Sequence, residues 1–280
     1  VSIIPIMTRE KTDTQFISIA NQKGGVGKTT TAVNLATALA AVGRRVLLVD
    51  LDPQGNASTG FGIDRANRVN GTYEVLFGEC GVAEAAVETR VPRLFVIPSS
   101  VHLSGAEIEL VDAKNRESRL RKAFEKYDGT AFDYVLFDCP PSLNLLTLNA
   151  LVCSNGVIVP LQCEFYALEG LAHLVRTIER VCSSFNSRLS LEGIVLTMYD
   201  KRNNLSGQVA EDVRAHFGDK VFKAVIPRNV RISEAPSYGL PAIVYDMRCP
   251  GSQAYVQLAR EVLRRHSRTK AEKQKGQEAA

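Results

Sequence analysis

The stretch Ala20-Asn21-Gln22-Lys23-Gly24-Gly25-Val26-Gly27-Lys28-Thr29-Thr30 decides how the rest of this 280-residue chain is read. A short apolar run, Phe16 to Ala20, precedes it, and a helix-patterned segment, Thr30 to Ala41, follows. A glycine-rich turn between a strand and a helix aims backbone N–H groups at an anion, and the helix dipole adds partial positive charge there. In that arrangement Lys28 reaches the outer phosphates of a nucleotide, and the Thr29 hydroxyl is placed to ligate Mg²⁺. Gly24, Gly25, Val26, Gly27 and Thr30 complete the cradle. The general pattern has glycine five residues before the Gly-Lys pair. Gln22 stands there instead, and a second lysine, Lys23, heads the loop.

Two carboxylate-ended strands belong with this loop. Arg44-Arg-Val-Leu-Leu-Val-Asp50 has a charged entry, four apolar residues and an acid at its exit, the pattern of a buried parallel strand. Ligands of open parallel sheets sit beyond the carboxyl ends of the strands, so Asp50 and Asp52 emerge near the phosphate loop. The following Asp52-Pro-Gln-Gly-Asn-Ala-Ser-Thr-Gly60 is a small-residue loop able to change conformation. A carboxylate there is suited to orienting the attacking water or holding Mg²⁺ through water. Phe132 to Asp138 repeats the strand pattern, and Pro140 and Pro141 stop it. Asp138 is expected near the Mg²⁺ through water, with Asp50 a further candidate of the same kind.

Composition excludes several classes. Hydrophobic residues make up 45% of the chain, enough for a globular core and too many for wholesale disorder. The six cysteines form no C-x-x-C pair and lie mostly in apolar stretches, as expected of reduced, buried thiols in a cytosolic protein. No apolar run approaches the roughly 18 residues that span a bilayer, and the charged beginning is wrong for a signal peptide. The net charge of +4 is too mild to prove a nucleic-acid partner.

Further strands are expected over Leu94–Pro98, Gly156–Pro160, Leu191–Thr197 and Lys220–Ile226. Helices are expected near Thr72–Phe77, from Ser104 to Val111, and over Arg116–Tyr127, Ala167–Cys182, Val209–Phe217 and Ala254–Arg265. The charged Arg116–Tyr127 helix is expected to present a solvated face. The alternation predicts one α/β domain over residues 15–266: a single doubly wound, mostly parallel sheet flanked by helices, of the P-loop NTPase type. Residues 1–14 read as a flexible lead-in, and residues 267–280 as a polar tail lacking an apolar face and expected to be disordered.

Lys23–Thr30, Val49–Asn56, Asp138–Ser142, Glu164–Gly170, Leu196–Asp200, Val225–Arg231 and Ser233–Gly239 together resemble the ParA/Soj partitioning ATPases of the deviant Walker A (MinD/ParA) superfamily. The resemblance implies an ATP- and Mg²⁺-dependent ATPase that dimerises around two nucleotides. It casts Lys23 as reaching the partner subunit's phosphates, Lys28 as acting in its own subunit, and Asp52 as positioning water. Pro227 and Asn229 match the segment that contacts adenine in relatives. The family binds double-stranded DNA without sequence preference and works with a ParB-like activator, which implies a cytoplasmic, nucleoid-associated protein without membrane attachment. Arg202 aligns with a basic position tied to DNA. Lys220, Lys223, Arg248, Arg260, Arg264 and Arg265 are weaker candidates, and the lead-in is too short for a helix-turn-helix reader of operators.

Three other readings share the loop. A MinD-like division-site ATPase needs an amphipathic C-terminal helix for the membrane, and the tail lacks one. An iron–sulfur carrier needs cysteines this pattern does not offer. A metabolic ATP-dependent enzyme of the same fold needs a substrate pocket in place of a DNA surface, and its loop usually lacks Lys23.

Overall fold

The computed structural model describes residues 14–127 and 132–278, with side chains through Ser267. Residues 1–13, most of the expected lead-in, lie outside the described residues. Among the described residues, eight strands form one sheet: β1 (Gln15–Ile19), β2 (Val46–Asp50), β3 (Val87–Glu88), β4 (Leu94–Ile97), β5 (Tyr134–Asp138), β6 (Gly156–Gln162), β7 (Ser190–Tyr199) and β8 (Val221–Pro227). Their order is β3-β4-β2-β5-β1-β6-β7-β8, and every neighbouring pair is parallel except β3 with β4. The two-residue β3 is an antiparallel edge that hydrophobic patterning did not reveal, because so short a strand carries no period.

Five longer helices cover the sheet: α1 (Lys28–Ala41), α2 (Leu145–Cys153), α3 (Ala167–Ser184), α4 (Asn204–Phe217) and α5 (Pro250–Glu278). Two separate apolar clusters result. Leu47, Val49, Val135, Phe137 and Val159 meet α2 and α3 on one side. Ile17, Ile19, Leu48, Leu136 and Ile158 meet α1 and α5 on the other. Odd and even strand positions thus go to opposite cores, which is why β2 and β5 are apolar up to their terminal Asp and fully buried.

Three expected helices change form. The Ser104–Val111 segment is a 3₁₀ turn, Val101–Ser104, with a four-residue helix, Ala106–Glu109. The charged helix shortens to Arg119–Glu125 behind a 3₁₀ turn. The last helix, α5, runs on to Glu278, so most of the polar segment expected to be disordered has helical backbone. Lys, Glu, Gln and Ala are strong helix formers, and a helix nucleated on a packed face propagates through them at little cost. Helix α2 was missed in the sequence, although Asn144 caps it by accepting from the Thr147 amide at 3.2 Å.

Candidate nucleotide site

Beyond the carboxyl end of central β1, the chain turns through Gly24–Gly27 into α1. Gly25 (φ +73°) and Gly27 (φ +85°) are left-handed, a conformation that side chains resist, and Gly27 is the residue from which α1 starts. The loop is pinned from neighbouring strands. The Asn21 amide donates to the Pro160 carbonyl (2.7 Å) and its oxygen accepts from the Lys23 N–H (3.0 Å). The Thr197 hydroxyl donates to the Val26 carbonyl at 2.8 Å. Neither pin was legible in the sequence, because each joins segments more than a hundred residues apart.

The two lysines differ in environment. Lys28 is buried and donates to the Lys23 carbonyl at 2.9 Å, lying across the loop. Burial pulls its pKa below the usual lysine value, against the opposing charge of Asp138 foremost. Lys23 is half exposed and ion-paired with Glu164, just past the end of β6. Gln22 contacts His173 of α3 beside it.

The acids meet as parallel pairing dictates. Asp50 and Asp138 close β2 and β5 as register partners, and Ile19 pairs with Asp138 on the β1 side. Both carboxylates are fully buried. Asp50 accepts from the Ser58 amide (2.8 Å) and hydroxyl (2.7 Å) on one oxygen, and from the Asp52 amide (3.2 Å) on the other. Burial still pushes its pKa up to about 6. With its oxygens engaged in this way, Asp50 clamps the loop that follows it. Asp138 is the opposite case: neither oxygen has a hydrogen-bond partner of good geometry. Burial, then the Asp50 charge, hold its pKa well above the carboxylate range, against the Thr29 hydroxyl and the Lys28 ammonium.

Asp52 is half-buried and starts a tight turn. Its side chain accepts from Gln54 N–H (2.9 Å) and its carbonyl from Gly55 N–H (2.8 Å). Near the other end of this segment, Gly62 (φ +71°) packs against Gly239 (φ +64°) so closely that a Cβ on Gly239 would lie 2.9 Å from the Gly62 Cα. The Asp52 segment is thereby joined to the stretch beginning at Pro227 and Asn229. Pro227 pairs with Tyr199 of β7, and Asn229 accepts from the Arg231 N–H at 2.9 Å, capping a short helix.

The chain thus gathers Lys28, Thr29, Asp50, Asp52 and Asp138 at one end of the sheet. The AAA domain family model matches residues 14–191. The chromosome partitioning protein ParA of Caulobacter vibrioides is 63% identical over 252 residues, covering 90% of this chain and 94% of that one. The chain belongs to the ParA/Soj family of partitioning ATPases. The sporulation initiation inhibitor protein Soj of Bacillus subtilis is 53% identical over 89% of this chain and 98% of its own. Among solved structures, cobyrinic acid a,c-diamide synthase from Mycobacterium smegmatis with bound ADP and magnesium superposes with a TM-score of 0.80. It shares 39% identity and covers 91% of this chain and 96% of its own.

The basic residues do not gather into one patch. Helix α5 starts beside Asn229 and passes Glu192 at Arg265, so it runs antiparallel to the strands. Arg202, following β7, and Arg248, just before α5, therefore lie at the nucleotide end, and Lys220 and Arg264 lie at the opposite end. Lys223 and Arg260 fall between these ends on exposed positions of β8 and α5. Arg202 is strongly exposed and ion-paired with Asp200 at 3.0 Å. Lys220 donates to the Leu191 carbonyl at 2.9 Å. Arg265, a weaker DNA candidate from the sequence, is spent on structure: it bonds the Glu192 and Asp219 carbonyls and lies over the Phe222 ring, 4.1 Å from its centroid. Its periodic position alone did not reveal that packing.

Proposed function

We propose that this ParA/Soj-type ATPase binds and hydrolyses ATP with Mg²⁺, dimerises when ATP is bound, and in that state holds double-stranded DNA without sequence preference. The observation that carries the reading is the pairing of a two-lysine phosphate loop with Asp138, a buried carboxylate that makes no hydrogen bond of good geometry and lies near the Thr29 hydroxyl. Burial and the Asp50 charge disfavour ionisation of Asp138, and a bound cation would let it carry its charge there. The donor set is hard oxygen, as Mg²⁺ prefers, so the residues fit the ion. Thr29 would ligate it and Asp138 would hold its water shell. When bound, Mg²⁺ neutralises charge on the phosphate oxygens.

The chain's own residues do the rest. Backbone N–H groups of Gly24–Thr30 receive the phosphates. Lys28 places its ammonium against the outer phosphates, where negative charge spreads as the γ-phosphoryl is transferred. Asp52 orients the attacking water from the head of its turn. Lys23 exchanges Glu164 for a phosphate bound by the partner, which makes hydrolysis conditional on dimerisation. Pro227 and Asn229 flank the adenine.

DNA attachment rests on Arg202 with Arg248, and on Lys220, Lys223, Arg260 and Arg264 as lesser contacts. Weak contacts on two subunits add, because each neutralised phosphate releases counterions. A ParB-like activator would set the time of hydrolysis, and the protein would reside on the nucleoid in the cytoplasm. Binding to an arbitrary-sequence duplex at fixed salt tests the reading. Tight binding is expected with ATP and Mg²⁺ and weak binding with ADP or no nucleotide. Equal binding in all three states overturns it.

A further inference from the structure

The turn that carries Asp52 has a second support on its outer side. Arg68 spreads its guanidinium over Gly55 and reaches three acceptors. Its Nε and Nη2 donate to the Ile63 carbonyl (3.2 and 2.9 Å), Nη1 to the Ser99 carbonyl (3.1 Å), and Nη2 also to the Thr59 hydroxyl (2.9 Å). The Thr59 hydroxyl in turn donates to the Gly55 carbonyl at 3.0 Å. These bonds join the residues that follow β4 to the Asn56–Gly60 helix and to the chain leaving it.

Gly55 suits this contact on two counts. Its φ of +65° is left-handed, and a Cβ there would fall 2.1 Å from Arg68 Nη1. The close approach lets the flat guanidinium lie on the backbone of the turn whose first residue is Asp52, and Gly55 is bonded back to the Asp52 carbonyl. On the inner side, Ser58 joins Asp50 to the Ser99 amide, which donates to the Ser58 hydroxyl at 3.1 Å. Ser99 therefore receives both supports, one at its N–H and one at its carbonyl. A lysine cannot replace the outer one, because a single ammonium lacks the planar fork that reaches separated acceptors.

From this geometry we infer that Arg68 is a positioning residue for ATP hydrolysis, holding the Asp52 turn in register with the phosphate loop. The inference rests on the proposed role of Asp52. Arg68 touches neither strand β1 nor the Lys23–Thr30 loop in any of these bonds, so its loss acts on turnover and leaves ATP capture intact.

The test measures kcat, KM for ATP, ATP affinity and melting temperature for Arg68→Ala, Arg68→Lys, Asp52→Ala and the Asp52→Ala/Arg68→Ala double variant. Both Arg68 variants are expected to lose on the order of tenfold to a hundredfold in kcat, the scale of misplacing a group by about 1 Å, with ATP affinity within about twofold of the parent. The double variant should be no slower than Asp52→Ala alone, because the two act as one unit. If Arg68→Ala does not fold, Arg68→Lys carries the comparison. Parental kcat in Arg68→Lys, additive losses in the double variant, or ATP affinity falling in step with melting temperature each overturns the inference. Parental turnover in Asp52→Ala is a separate failure: it removes the reading of Asp52 and the inference with it.

Discussion

Asp50 and Asp138 stand side by side at the ends of two adjacent parallel strands, both fully buried, yet one has every oxygen hydrogen-bonded and the other has no hydrogen bond of good geometry. Near-identical sequence contexts, an apolar strand ending in Asp, have produced two roles. Asp50 spends its charge on the loop behind it. Asp138 is left facing the phosphate loop with unsatisfied acceptors.

Removing the unsatisfied carboxylate should separate folding from function. Asp138→Asn is expected to melt at or above the parent temperature without ligand, because a buried, unpartnered acid no longer has to be accommodated. The same variant should lose most of the extra melting temperature that Mg²⁺ and ATP together confer on the parent. Thermal denaturation with and without both ligands checks the pair of outcomes.

Both buried acids are raised, and the sign of the pH response follows. Relative to an ordinary value of 3.8, the Asp50 carboxyl stabilises the fold fully at low pH, and this contribution is lost as pH rises through about 6. Asp138 is displaced in the same direction. Binding of Mg²⁺ with ATP favours the ionised form of Asp138, whose pKa burial and the Asp50 charge hold above the carboxylate range, so it should release protons and tighten as pH rises. Calorimetric titrations in buffers of different ionisation enthalpy measure the released protons. Proton uptake, or no change, would contradict the assignment.

The two lysines should fail differently. Lys28→Ala removes the buried ammonium within the loop and is expected to weaken ATP binding tenfold or more, about 1.4 kcal/mol. Lys23→Ala removes an exposed ammonium that, among the described residues, pairs with Glu164, so ATP should still bind while dimerisation-linked turnover disappears. Equilibrium binding beside size-exclusion chromatography with ATP distinguishes them.

Ser58 is the inner clamp. Ser58→Ala deletes the hydroxyl between Asp50 and the Ser99 amide, leaving the Ser99 N–H without that acceptor. A loss of about 1–3 kcal/mol in unfolding free energy is expected for unsatisfied buried groups of this kind. Denaturant unfolding gives the value.

Arg202 is exposed enough that its replacement should leave the fold untouched. Arg202→Ala is expected to spare ATP-dependent dimerisation and to weaken DNA binding with a shallower salt dependence, by roughly one unit in slope per lost phosphate contact. Unchanged affinity and slope would remove Arg202 from the DNA surface.

Local sequence was enough for the phosphate loop and the acid-ended strands. The glycine-rich turn, the lysine and hydroxyl after it, and the apolar runs ending in Asp50 and Asp138 all follow from a few consecutive residues, because strand, turn and helix start are short-range choices. The parallel sheet followed from their alternation, and the family from the motif set. Tertiary structure alone decided which acid is satisfied: Ser58 folds back onto Asp50, and the Ser99 amide that holds the Ser58 hydroxyl arrives only when β4 lies beside β2. It also moved Arg265 from a solvated charge to a structural cation on Phe222, and spread the remaining basic residues along the sheet from one end to the other through the antiparallel course of α5. Arg68 was silent for the same reason: a guanidinium acquires its role from acceptors at Thr59, Ile63 and Ser99, and only the folded chain brings those three together.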